Sequence, residues 1–353
     1  MRYRNKLLAA AFAFMALILT GCADQEEQQE TKEQAKNQDT QEPREQAENQ
    51  GNQEKKKQAE DQQDITSDIS EEEFIRKASP QKIEHVHGIG YPGNDDGLYV
   101  ASHNGLKIYK DGEWLETAAQ NHDYMGFQAT EDGFFASGHP EKGEDLKDPL
   151  GLVKSTDKGR TLEKIAFYGE SDFHFLSAGY YNSSLYLINE AANSKMERGV
   201  YLSRDQANSW EPVEMKGLES STLGMMAVHP EKGGTFAMAT KDGVFISDDF
   251  GKNMNRAGQY ELVTAAAFSK KYLYISPVHQ QTIQLFRLEA EGTGKAEKLT
   301  IPHLNHDNPI TYISADPRQE GRIAFMTILN DLYESVDGGK TWKRLLVNGR
   351  IEQ

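Results

Sequence analysis

Ser335-Val336-Asp337-Gly338-Gly339-Lys340-Thr341-Trp342 is the best preserved of four related segments in this 353-residue chain. The others are Ser155-Thr156-Asp157-Lys158-Gly159-Arg160-Thr161-Leu162, Ser203-Arg204-Asp205-Gln206-Ala207-Asn208-Ser209-Trp210 and Ser247-Asp248-Asp249-Phe250-Gly251-Lys252-Asn253-Met254. Their serines are 48, 44 and 88 residues apart, and 88 is two periods of 44. A degenerate copy is therefore expected near Glu291-Gly292, and one period back from Ser155 lands on Tyr109-Lys110-Asp111-Gly112-Glu113-Trp114. Six repeats of about 45 residues then fill residues 81–353, and four short strands per period is the arithmetic of a propeller blade. Strands are expected at Met225 to Val228, Thr235 to Ala239 and Val244 to Ser247 in the fourth repeat. In the sixth they are expected at Thr311 to Ala315, Arg322 to Ile328, Leu332 to Ser335 and Trp342 to Val347. The repeated segment itself reads as a hairpin turn: its Asp bonds backbone two residues on, its Gly supplies a positive φ, and its Trp packs on the sheet.

The pattern resembles the Asp-box, or bacterial neuraminidase repeat, of sialidases, sortilin-type receptors and photosystem-II assembly propellers. The resemblance implies an all-β, six-bladed β-propeller in which Asp157, Asp205, Asp249 and Asp337 are architectural. The Ser203 copy lacks its Gly, and the Ser155 and Ser247 copies lack the Trp. Longer stretches are similar to secreted or lipid-anchored propellers described as glycosyl-hydrolase-like. These are His85-Val86-His87-Gly88, His103-Asn104-Gly105, Met125-Gly126-Phe127, Ala136-Ser137-Gly138-His139-Pro140, Asp148-Pro149-Leu150-Gly151-Leu152 and Gly169-Glu170-Ser171-Asp172-Phe173-His174.

Upstream, Arg2, Arg4 and Lys6 precede thirteen apolar residues, Leu7 to Leu19, a run too short to span a bilayer stably. It ends at Leu19-Thr20-Gly21-Cys22, which resembles the lipobox of bacterial lipoproteins. Residues 1–22 thus read as a lipoprotein signal with its lipidation site: the resemblance implies cleavage before Cys22, a lipid on Cys22, and a soluble domain held on the outer face of a membrane. Residues 23–80 hold 17 acids, 8 bases and twelve glutamines, with almost no branched or aromatic side chains. Such a stretch cannot offset its own chain entropy and is expected to be a disordered tether reaching roughly 40 Å.

The overall charge of -16 divides into about +3 on the signal, -9 on the tether and -10 on the propeller. An acidic propeller argues against nucleic acid as a partner. The single cysteine excludes a disulfide scaffold and any multi-cysteine metal site. The chain is expected to act as a monomer.

In a four-stranded blade, the loops from outer strand to next inner strand and from second to third strand share one face. Nine of the ten histidines fall there: His85, His87, His103, His122, His139, His174, His279, His303 and His306, with only His229 opposite. His85, His87, His103, His122, His139 and His174 are thus candidate ligand-binding residues. His85, His87, His103, His139 and His174 are candidate ligands for a divalent metal ion, since two imidazoles separated by one strand residue share a face. Glu84, Asp123, Glu170 and Asp172 fall in the same loops, and a pair of them about 5 to 10 Å apart would suit glycoside hydrolysis. Sialidase chemistry is disfavoured, because the arginines sit in or beside the repeat turns and the Phe-Arg-Ile-Pro motif is missing. The leading expectation is a membrane-anchored propeller binding an envelope glycan, protein or metal ion on its His-rich face. A glycoside hydrolase and an assembly factor for a membrane protein are the alternatives.

Overall fold

The computed structural model describes residues 63–292 and 295–351. The signal, Cys22 and most of the 23–80 tether lie outside those residues. Within them the chain forms six antiparallel sheets in sequence order. Their innermost strands are Val86–Gly90, Asp123–Thr130, Leu176–Ala178, Met226–Val228, Leu262–Phe268 and Ile310–Ala315. Each touches the next and the last touches the first, so the sheets close as six blades of a β-propeller. The strands of blade 4 are Met226–Val228, Phe236–Thr240, Gly243–Ser247 and Asn255–Arg256. In blade 6 they are Ile310–Ala315, Ile323–Thr327, Leu332–Ser335 and Lys343–Val347, continued by Arg350–Ile351. Both sets follow the sequence pattern to within a residue or two.

The alternation of side chains along each strand explains how blades pack. Leu98–Ser102, the second strand of blade 1, is buried throughout. Leu98 and Val100 face Ala324, Met326 and Leu332 of blade 6. Tyr99 and Ala101 face Tyr124, Phe127 and Phe134 of blade 2. Period-two geometry thus places a sheet between two cores, which is why these strands read as continuous apolar runs. Among the described residues, no strand is exchanged at the seam between blades 6 and 1. The junction is held by that packing and by polar contacts: Arg318 donates to the carbonyls of Gly93 and Asp95, Arg322 to that of Asp96, and the Tyr91 hydroxyl to Glu334.

The described part of residues 23–80 carries two short strands that its composition does not suggest. Ile65–Thr66 pairs with Leu162 and Thr161 on the outer edge of blade 2, and Ile75–Lys77 pairs with Thr117 to Leu115 on that of blade 1. Phe74, immediately before the second of these strands, is buried at 1 % exposure. Backbone pairing along an open sheet edge needs few apolar side chains, so two such strands fit inside a Glu-rich segment.

The four repeated segments share one hydrogen-bond pattern. In each, the serine hydroxyl donates to the Asp carboxylate at 2.8–3.0 Å and accepts the backbone N–H four residues on at 2.8–2.9 Å. The Asp in turn accepts the N–H four residues further along, as Asp337 does from Thr341 at 2.9 Å. The fourth and fifth positions are both left-handed, for instance Lys158 at φ 67° and Gly159 at 94°. In blade 1 the corresponding link is a two-residue Asp111-Gly112 hairpin instead, with Lys110 opposite Glu113. The copy expected near residue 291 falls between Leu285–Glu289 and Glu297–Leu299, partly outside the described residues.

Candidate functional site

The loops opposite those hairpins on blades 1 to 3 bring seven of the candidate side chains, His85, His87, His103, Asp123, His139, Asp172 and His174, into one array. Two backbone irregularities aim them. In blade 1 the register shifts between Val86 and Gly88, leaving His87 as the extra residue of a β-bulge. A bulge re-aims a side chain that strict alternation would send elsewhere. Gly88 then lets blade 2 come close: a Cβ there would lie 2.9 Å from that of Phe127. In blade 2, Gly126 at φ +54° sits in a second bulge, and a Cβ on it would meet the Phe173 carbonyl oxygen at 2.2 Å. Any larger residue at either position would push apart the segments that carry His87, Asp123 and Asp172.

Asp123 opens the inner strand of blade 2, between His87 and the exposed His103 of the blade 1 hairpin turn. His103 Nδ1 lies 2.7 Å from Asp123 Oδ2, and His87 Nε2 lies 3.5 Å from Oδ1. One donor atom from each of the three lies within 4.8 Å of the others. His85, at φ 49° just before the strand, packs its ring 5.1 Å from that of His103, while His87 lies 6.0 Å from it. The two histidines therefore flank His103 through the bulge, not by simple alternation.

His139 is the direct cross-strand partner of Asp123 and starts a second group. Its Nε2 is 3.4 Å from Asp172 Oδ2 and its Nδ1 2.5 Å from Asp148 Oδ1. His174 Nε2 is also 3.4 Å from Asp172 Oδ2, and its Nδ1 is 3.2 Å from Glu190 Oε2 without forming a hydrogen bond. Ser137 supports Asp172 from beneath, donating at 3.4 Å while accepting the Phe173 N–H at 2.9 Å.

Electrostatics separates these groups. Burial, reinforced by His103, His174 and His85, pushes the His87 imidazole down to about 3, so it is a neutral lone-pair donor at any physiological pH. Burial also raises the Asp123 carboxyl, against the pull of His103 and His139. It works the same way on Asp172, but there His139 and His174 outweigh it and hold the carboxyl below the ordinary range. The Asp172 carboxylate, helped by Asp148 and opposed by burial, lifts His139 to about 9. Glu190 first, then Asp172, raise His174 against burial.

The remaining sequence candidates lie outside this array. His122 is completely buried: its Nδ1 accepts the Glu141 N–H at 2.9 Å and its Nε2 faces Gln120, so it braces a loop rather than a ligand. Glu84 is exposed and pairs with Lys82 at 2.9 Å, and Glu170 accepts the Ser194 N–H at 3.0 Å. His303 and His306 line a separate open hollow of about 700 Å³ beside blade 5. Asp148, Glu190 and Ser137 complete the array without having been singled out as site residues. Asp148 lies in the long loop following His139, and Glu190 at the end of a strand, where a carboxylate beside a predicted histidine face was the available signal.

No protein-family model matches the chain, and no curated protein matches it. Solved structures do resemble it in fold. A Niastella koreensis GH74 enzyme superposes with TM-score 0.50 at 15 % identity, over 77 % of this chain and 47 % of its own, so this chain spans about half that enzyme's length. A chain of a nidogen/laminin complex gives TM-score 0.52 at 8 % identity over 72 % of this chain and 95 % of its own. YCF48 bound to a D1 peptide gives 0.44 at 12 % identity over 80 % and 86 %.

Proposed function

We propose that this protein is a binding propeller displayed on the outer face of a membrane through a lipid on Cys22, and that its ligand is a transition-metal ion held by His87, His103 and Asp123. One observation carries the metal reading. His87 Nε2 and Asp123 Oδ1 are both buried, face each other at 3.5 Å, and have no hydrogen-bond partner. Leaving such a pair unsatisfied is costly, by about 1–3 kcal/mol per group. A cation between them satisfies both, because ligands at about 2.1 Å from a metal in tetrahedral array stand about 3.4 Å apart. Two imidazoles and one carboxylate suit zinc, copper, iron or nickel, whereas calcium and magnesium take all-oxygen sets. Positions left open on the ion are available to a further ligand from solvent.

The full chain, stripped of metal with a chelator, is titrated with Zn²⁺ and with Cu²⁺ by calorimetry. A saturable binding event at the micromolar level or tighter is expected for the parent, and that event should be lost from Asp123→Ala and His87→Ala; isotherms identical to the parent's in both variants would overturn the reading. Cys22→Ser is expected to move the protein from the membrane fraction to the soluble one.

A second reading, glycoside hydrolysis, is favoured by the opposite displacement of two neighbouring carboxyls, Asp123 raised and Asp172 lowered, the split that separates an acid from a base. It requires turnover of a polysaccharide by metal-free protein, abolished in both Asp123→Asn and Asp172→Asn.

A further inference from the structure

The second imidazole–carboxylate group is built like a metal site in its own right. His139 Nε2 and His174 Nε2 converge on the same oxygen, Asp172 Oδ2, each at 3.4 Å. That separation is long for an imidazole–carboxylate hydrogen bond and equals the ligand-to-ligand edge of a tetrahedron with metal–ligand bonds of about 2.1 Å. The far nitrogen of each ring is backed by its own carboxylate, His139 Nδ1 by Asp148 and His174 Nδ1 by Glu190. Carboxylates placed behind the far nitrogen are how proteins hold a metal-binding imidazole in orientation. Asp172 has its outer support as well, through Ser137 on Oδ1, which leaves Oδ2 facing the two rings.

We infer that His139, Asp172 and His174 hold a second divalent transition-metal ion beside the first, making the face of blades 1 to 3 a two-metal site. The inference rests on the metal reading of the His87–His103–Asp123 triad and extends it. Adjacency is set by the sheet: Asp123 of the triad and His139 of the second group are directly paired across the two inner strands of blade 2. Charge favours it, since Asp123, Asp148, Asp172 and Glu190 contribute four carboxylates to one small face. Among the described residues only the triad has all its donors within 4.8 Å of one another. The second group therefore closes by rotation of an imidazole as its ion binds, and is expected to fill after the triad.

The test is metal stoichiometry of the full chain with Zn²⁺ alone, by calorimetric titration and by elemental analysis after gel filtration. Two ions per chain are expected for the parent, one for Asp123→Ala, and one for Asp172→Ala or His174→Ala. The control His303→Ala, in the separate hollow, should still bind two. Thermal unfolding of the metal-free variants identifies any that has failed to fold, with Asp172→Asn and His174→Gln as the milder replacements. If the parent binds one ion, lost in Asp123→Ala and kept in Asp172→Ala, the second site is refuted while the proposed function stands. One ion lost only in Asp172→Ala refutes the two-ion arrangement and places the metal away from the triad. No stoichiometric binding by the parent refutes both.

Discussion

The two ends of the blades use aspartate in opposite ways. At the hairpin end, Asp337 accepts backbone N–H groups from Lys340 and Thr341 and hydroxyls from Ser335 and Thr341, all from its own turn. Those donors favour the charged form, and at the equivalent Asp249 they hold the carboxyl down at about 2. At the other end, Asp123 draws its neighbours from two blades, leaves one buried oxygen unpartnered, and has its carboxyl raised by burial. A carboxylate saturated by its own loop closes that loop. One left incomplete among imidazoles is a seat for something else, and the cost of keeping it so is carried by the rest of the fold.

The widest separation between the two ends should appear in paired variants. Asp123→Ala is expected to lower Zn²⁺ affinity at least about 100-fold, roughly 2.7 kcal/mol, while leaving metal-free stability near that of the parent, because it also removes a buried unpaired oxygen. Ser335→Ala should do the reverse. It strands the buried Gly339 N–H, which the Ser335 hydroxyl now accepts at 2.9 Å, so stability should fall by about 1–3 kcal/mol with metal affinity unchanged. Chemical denaturation with and without Zn²⁺ reads both quantities. A Ser335→Ala variant that lost metal binding while still folded would erase the distinction.

Histidines divide along the same line, and pH exposes it. His229, on the hairpin side, is 1 % exposed; its Nδ1 accepts the N–H groups of Glu231 and Lys232 and its Nε2 reaches the Lys270 carbonyl. Protonation would set Nδ1–H against two donors, and burial keeps the pKa below its ordinary value. The folded state then binds fewer protons than the unfolded one. Stability is complete above about pH 6.5 and declines below it, by up to about 1.4 kcal/mol per pH unit. His139, raised to about 9, behaves in the opposite sense: its contribution is complete below about pH 6.5 and is lost as pH rises through 9. In metal-free protein, His229→Gln should flatten the fall in denaturation midpoint between pH 6.5 and 5, and His139→Gln the fall between 7 and 9.5. An acid limb unchanged by His229→Gln would show that its neutral form is not favoured by folding.

Much of this was legible in the residues and some was not, for physical reasons. The spacing of Ser155, Ser203, Ser247 and Ser335 foretold the blades because each segment closes its turn with its own atoms. The His-rich face followed from topology, since every strand end is assigned once the blade is known. The bulge at His87 was not legible, because a one-residue register shift leaves no mark on local composition, yet it joins His87 to Asp123. Nor could spacing separate His122 from His87: both lie near apolar strands, and the difference is a single N–H from Glu141 that takes the lone pair of one and not the other. The edge strands at Ile65–Thr66 and Ile75–Lys77 were hidden because main-chain pairing supplies much of their attachment.

The smallest effect is expected where one turn departs from its repeat. Ala207 occupies the position held by Gly159, Gly251 and Gly339 in the other turns, with φ 71° and 6 % exposure. A left-handed alanine costs about 1–2 kcal/mol, which Ala207→Gly would recover. Against that, the substitution removes a buried methyl packed in the core between blades 2 and 3, worth about 0.8 kcal/mol. It also frees the unfolded chain, worth about 0.4–1 kcal/mol. These terms nearly cancel, so the denaturation midpoint of Ala207→Gly should stay within about 0.5 kcal/mol of the parent. The converse change has no such compensation at Gly251, where a Cβ would lie 2.3 Å from Val213 Cγ1. Gly251→Ala should therefore be clearly destabilising in the same assay. Equal effects from the two substitutions would mean that the turns do not share one backbone requirement.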